Sequence, residues 1–249
     1  MIVRGTLPPG ARLVESELES QFHVSRTPIR SALNRLVTEG YVVGTGGTKE
    51  FLSVAPPSED DALELFEMVG HLESIAARKA ASFDFKTRSG LAARLREYNR
   101  EIVKAAKAAQ PDAARIFDLD VLFHHAFIEA GSGPRLLKHL DALKPQVERY
   151  DRLYTSAYSR DMEPSIAEHE KIVSAFRAGE PPLAELAVQR NWRNSADRLA
   201  IVIRTIGDKG YWQFARHRTL ATSPAAPHKL AYSESRSPRQ GGRESQLQG

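Results

Sequence analysis

The sequence predicts a mainly α protein, in which an N-terminal winged helix-turn-helix unit precedes an all-helical antiparallel bundle. Three observations carry that expectation. Residues 1–55 hold short stretches of helical spacing followed by two β-like runs around a Gly-rich turn. Pro56-Pro57 then interrupts the chain, because proline cannot donate to a ladder and restricts the residue before it. From Ser58 to about Tyr211 apolar residues recur at helical spacing, broken by short segments most of which contain Gly or Pro.

Taken in order, Glu15–Gln21 suits a short helix with Leu18 and Phe22 facing inward. Phe22-His23-Val24 makes a tight connection to a second helix, which Ser25 or Thr27 can cap and in whose first turn Pro28 is tolerated. Ile29, Leu33, Leu36 and Val37 form its buried stripe, and Gly40 stops it. Tyr41-Val42-Val43 and Phe51-Leu52-Ser53-Val54 read as a two-stranded ribbon around Gly44–Lys49. Ser58-Glu59-Asp60-Asp61 has the form of a helix start, followed by Leu63, Phe66, Val69, Leu72 and Ala76 at helical spacing. Breaks at Phe83–Thr87, Gln110–Asp112, Gly131–Pro134, Tyr158–Pro164 and Gly179–Pro182 divide the remainder into about six helices. The expected domains are therefore 1–55, a linker at 56–59, a helical domain at 60–212 and a basic tail at 213–249 too polar to offset the entropy of ordering.

Composition narrows the chemistry. With no cysteine the chain has no disulfide or thiol chemistry, and any metal must be held by nitrogen and oxygen. No apolar run approaches the roughly 18 residues that span a bilayer, and the start lacks a signal-peptide pattern, so a cytoplasmic protein with no membrane partner is expected. The net charge of +4 is misleading as a nucleic-acid signal, because six basic and two acidic residues from Arg216 onward account for all of it. A case for DNA must rest on particular arginines.

Arg26, Arg30 and Asn34 recur at i, i+4 and i+8, with Thr27 and Ser31 beside them, so one outward helix face carries two guanidinium groups, an amide and hydroxyls. Such groups suit a major groove, where arginine bonds guanine or phosphate and asparagine bonds adenine, although a solvated charged face has the same spacing. Pro8-Pro9-Gly10-Ala11-Arg12-Leu13, Glu17-Leu18, Val24-Ser25-Arg26-Thr27-Pro28-Ile29-Arg30, Ala32-Leu33, Arg35-Leu36 and Glu39-Gly40-Tyr41-Val42 closely resemble the winged-helix domain of GntR-family regulators. The resemblance implies that Arg26 and Arg30 contact operator DNA, with Ser25, Thr27 and Asn34 on the same reading surface, and that the wing bearing Gly46 and Gly47 approaches the minor groove. In that family the first helix begins several residues upstream, so Met1-Ile2-Val3-Arg4 corresponds to its last turn, implying a start upstream of Met1 or a shortened domain. Ser16 stands where some relatives place another DNA-contacting arginine, and the wing is looser than usual.

Asp120 and His124, four apart, project from one helix face that Ile116, Phe123 and Phe127 turn toward the core. An inward acid and imidazole require partners. His169 lies on an inward stripe with Ile166, Val173 and Phe176, and Asn191 on one with Leu183, Ala187, Ser195 and Leu199, so four polar groups are expected to converge. By residue pattern alone this is either a hydrogen-bonded core network or a site. Leu72-Glu73, Asp120–His124, Glu168-His169 and Ala178-Gly179 resemble the FCD effector domain of the FadR-like branch, over roughly residues 60–205. The resemblance implies a divalent metal, zinc or nickel, held by Asp120, His124 and His169, with open positions for a small carboxylate effector. The family's third histidine falls on Asn191, here a weaker ligand or an effector contact. Many relatives carry an arginine near Val69 that reaches an anionic ligand, and this stretch has none. His71 is expected toward solvent rather than the cavity, His125 in a structural role or as part of a pocket wall, and Trp192 in packing rather than as an aromatic platform.

The reading that results is a homodimeric transcriptional regulator, of repressor type and not an enzyme, that binds double-stranded operator DNA under control of a small-molecule effector. Two alternatives stand beside it. One is a DNA-binding protein whose helical domain only dimerises; the other is a metal-dependent hydrolase, against which no recognised catalytic motif accompanies the candidate ligands.

Overall fold

The computed structural model describes residues 1–45 and 51–219, with side chains described for 1–44 and 51–205. Among the described residues eight helices dominate, with a small sheet near the N-terminus. After turns at residues 1–10, β1 (Arg12–Leu13) leads into α1 (Glu15–Phe22) and α2 (Arg26–Thr38), then β2 (Val42–Thr45) and β3 (Phe51–Val54). The sheet order is β1-β3-β2 with both pairings antiparallel, so Ser53 faces Arg12 on one side and Val43 on the other. The strand β1 is an addition to the expected ribbon; two residues are too few to show a period. Ile2, Leu13, Ile29, Leu33, Tyr41, Val42 and Val54 form the core of this region.

Two expected core positions are corrected. Phe22 is 51 % exposed and Val37 41 % exposed, because the short α1 and the single layer of sheet cover only the Ile29–Leu33 side of α2. The connection at His23 is a left-handed turn (φ 56°), unusual for a residue with a side chain. Ser25 is the N-cap of α2 by position, although its side chain makes no capping bond.

The helical region comprises α3 (Glu59–Ala81), α4 (Phe85–Lys107), α5 (Ala113–Gly131), α6 (Pro134–Tyr158), α7 (Glu163–Ala178) and α8 (Pro181–Thr219). Each expected break spans a junction between two helices, although some of its residues belong to the helix on either side. Ser58, Asp84 and Asp112 cap α3, α4 and α5 by accepting from backbone N–H groups, and Gly179 ends α7 in the left-handed conformation (φ 71°). The backbone of α8 runs to Thr219, past the expected boundary at 212; the remainder of the tail, like Gly46 and Gly47 of the wing, lies outside the described residues. α3 packs most extensively on α8, and α5 sits against α3 and α4. Phe66, Leu95, Phe123, Phe127, Phe176 and Leu199 are fully buried between them. Leu183 is 55 % exposed, which corrects its placement on the inward stripe of Asn191; the buried neighbours along α8 are Ala184, Val188, Trp192 and Leu199. Among the described residues no helix is long and apolar enough to cross a membrane.

Candidate functional site

The α5 stripe brings Asp120 and His124 onto the inside of the bundle, where α7 supplies His169. Each offers one ligand atom, and the three atoms lie within 4.8 Å of one another. His169 is 1 % exposed and stacks on Phe123 with ring centroids 4.0 Å apart. Its Nδ1 meets Asn99 Oδ1 at 3.2 Å, and the Asn99 amide is itself oriented by donating to Ile166 O and Glu170 Oε1. A carbonyl oxygen only accepts, so Nδ1 carries the proton and Nε2 presents a lone pair. That Nε2 is buried, without a hydrogen-bond partner, and 3.4 Å from Asp120 Oδ1.

His124 is oriented in the same manner. Glu73 Oε2 accepts from its Nδ1 at 2.7 Å and from Trp192 Nε1 at 2.8 Å, leaving His124 Nε2 for the site. An imidazole whose far nitrogen is held by a carboxylate is the usual second layer of a metal site. Burial pushes His124 down, but the charge and hydrogen bond of Glu73, with Asp120 and Asp151 beyond, bring it up to about 9. Burial, His124 and Arg198 hold His169 well below its ordinary value. Asp120 is raised by burial, and Asp151 is raised well above the usual carboxylate range by burial and by Asp120. The orphaned Nε2 of His169, with the Nε2 of His124 and the Asp120 carboxyl beside it, suits a divalent cation.

Asn191 lines the same cavity as Asp120 and His124, together with Asp151, Tyr154, Ser165 and Ser195. Its Nδ2 donates to Glu168 Oε2 at 3.1 Å. Glu168 also takes Asn194 Nδ2 at 2.8 Å and both terminal nitrogens of Arg198, at 2.9 and 3.0 Å. Arg198 Nε donates to the Tyr154 hydroxyl and its Nη2 is shared with Ser165 and Ser195, so all three nitrogens of this guanidinium are already engaged. The cavity measures about 20 Å³, room for a water or an ion but not for a multi-atom ligand without rearrangement.

Glu73, Asn99, Asp151 and Arg198 were not among the residues expected at the site. For Glu73 a signal existed. It shares the inward stripe of α3 with Phe66, Val69 and Ala77, and a buried carboxylate requires a partner. His71 lies on the surface near Glu67, and His125 is half-buried toward Glu129. Trp192 packs against Phe66 and also donates to Glu73.

In the N-terminal region Ser25, Arg26, Thr27, Arg30 and Asn34 are all exposed on or beside α2, and the two arginines meet acids of α1. The regions join through α6. Tyr150, 2 % exposed, donates its hydroxyl to Asp61 Oδ2 at 2.6 Å and accepts from Ser58 N at 3.1 Å. The neighbouring Arg149 is buried and donates through Nη2 to Ala55 O at the end of the sheet. The next residues on the same helix, Asp151 and Tyr154, line the cavity.

This arrangement has relatives. Residues 64–194 match the FCD domain, and residues 1–48 match the bacterial regulatory proteins of the gntR family. The Nta operon transcriptional regulator of Aminobacter aminovorans is 30 % identical over 139 residues, which are 56 % of this chain and 62 % of that protein. A probable D-xylose utilization operon transcriptional repressor of Paenarthrobacter nicotinovorans is 28 % identical over 193 residues, 75 % of this chain and 78 % of that one. Among solved structures, E. coli McbR/YncC superposes with a TM-score of 0.57 at 20 % identity, covering 83 % of this chain and 93 % of its own. A GntR regulator from Rhodococcus sp. RHA1 gives 0.56 at 22 % identity, covering 80 % and 91 %. With a gntR-type region at its N-terminus and an FCD domain across half its length, the chain belongs to the GntR family in its FadR-like branch, a family of transcriptional regulators and not of enzymes.

Proposed function

We propose that this regulator binds operator DNA as a homodimer through Ser25, Arg26, Thr27, Arg30 and Asn34, and that a small effector in the helical domain sets its affinity for DNA. The name of one relative, a probable repressor, favours the repressor sense. The observation that carries the effector site is the buried, unpartnered Nε2 of His169 beside Asp120 and His124. Asp120, His124 and His169 would hold a divalent metal, with Asn191 as an effector contact. The metal would supply a Lewis-acidic anchor for a carboxylate, which matters because no unpaired guanidinium lines the cavity.

The chain's own groups account for coupling. An effector larger than the cavity displaces part of its wall, to which α6 contributes Asp151 and Tyr154, and the same helix holds the linker at Arg149 and Tyr150. A shift of α6 would therefore alter the placement of the DNA-reading region, provided the effector favours the shifted state. The test is titration of purified protein with small carboxylates in the presence of Zn²⁺, followed by affinity for the DNA upstream of its own gene. Ligand-dependent change in that affinity, absent after chelation, is the expected result. DNA binding that no ligand or metal alters would support a domain that only dimerises.

A further inference from the structure

The two arginines on the exposed face of α2 are not free side chains. Arg26 donates from Nε to Glu19 Oε1 at 2.9 Å, with Glu15 Oε2 at 3.5 Å; Arg30 donates from Nε to Glu15 at 2.8 and 3.1 Å. Both acids belong to α1, one helical turn apart, and both are less exposed than the arginines they hold: 26 and 30 % against 60 and 64 %. None of the hydrogen bonds between these pairs uses a terminal nitrogen. A guanidinium can meet guanine or phosphate side-on, through Nε and one Nη, or end-on, through both Nη groups. With Nε occupied, only the end-on edge is presented.

We infer that Glu19 and Glu15 are positioning residues for DNA recognition, holding Arg26 and Arg30 by their inner edges so that the Nη1–Nη2 edges face the groove. The inference rests on the reading that α2 contacts DNA. It explains why two carboxylates sit beside the face that must approach a polyanion. Electrostatics alone would make them unfavourable for every DNA sequence equally, because each adds repulsion from the phosphates. Positioning is of use only where the arginine must meet a particular base edge, since a freely rotating arginine loses more side-chain entropy on forming a bidentate contact. The two roles therefore predict opposite signs for selected and unselected DNA.

The experiment uses a duplex selected from a random-sequence library by the full-length wild-type protein, and a scrambled duplex of the same length. Affinity for both is measured across a salt series for wild type, Glu19→Ala, Glu19→Gln and Arg26→Ala. Positioning predicts that Glu19→Ala binds the scrambled duplex as well as or better than wild type, while its preference for the selected duplex falls by about tenfold. Glu19→Gln, whose amide oxygen can still accept from Nε, retains most of the preference. If Glu19→Ala tightens both duplexes by the same factor, or leaves the preference unchanged, the acid merely competes with DNA and the inference is overturned. If Arg26→Ala itself matches wild type on both duplexes, the assignment of α2 as the reading helix fails, and the inference with it.

Discussion

Inside the bundle His124 and Glu73 meet at 2.7 Å, a contact between helices 51 residues apart in sequence that fixes which imidazole nitrogen faces the cavity. It also gives the metal-free protein a pH dependence. The folded value of about 9 for His124 lies above the ordinary 6.5. Its contribution to stability is thus fully present below pH 6.5 and is lost as pH rises toward 9, by on the order of 3 kcal/mol at most. His169, depressed by burial, acts in the opposite direction and costs stability as pH falls below 6.5. Denaturation of chelated protein between pH 6.5 and 9 is expected to show declining stability, and His124→Asn is expected to flatten that decline. An equal slope in both proteins would assign the decline to other groups.

A second prediction concerns the approach of α3 and α5. A Cβ added at Gly131 would stand 2.0 Å from Ala76 O, a backbone atom of α3, so one helix must move. Gly131→Ala is expected to destabilise by about 1 to 3 kcal/mol or more. Gly133, two residues on, has nothing within 4 Å of its added Cβ and a negative φ of −90°, so Gly133→Ala meets no clash and is the milder control, expected to cost less than about 1 kcal/mol through loss of a favourable N-cap residue. Urea denaturation of both variants checks the pair.

The linker clamp gives a third. Tyr150→Phe removes the hydroxyl that donates to Asp61 and accepts from Ser58 N, without changing the ring that packs edge-on against Phe66. A loss of about 1 to 2 kcal/mol and faster amide exchange at Ser58 are expected, because a part-buried N–H loses its acceptor. Unchanged exchange there would mean that α6 does not hold the linker.

The boundaries of the helices were legible in the sequence because they depend on neighbours in the chain: Gly179 at the end of α7, Asp112 capping α5, Pro134 opening α6. The three converging site residues were legible for a related reason. Asp120 and His124 share a helix face, and His169 lies among apolar residues of another. What escaped was pairing between elements. Nothing in local spacing tells that Asn99 orients His169 across 70 residues, that Arg198 is consumed by Glu168, or that Glu15 and Glu19 hold the arginines of the next helix. Exposure at Phe22, Val37 and Leu183 escaped for the converse reason. Helical periodicity marks an apolar face, but how far a neighbour covers it is decided by packing.

The central claim is that Asp120, His124 and His169 hold a divalent metal on which effector binding depends. It is tested most directly by the metal content of wild type and His169→Ala, each loaded with Zn²⁺, dialysed and analysed for bound zinc per chain. One ion per chain in wild type and only background in the variant is the predicted result, since the orphaned Nε2 of His169 is the atom the site is built around. Background zinc in both proteins, or equal zinc in both, would contradict it and leave these residues as a hydrogen-bonded core.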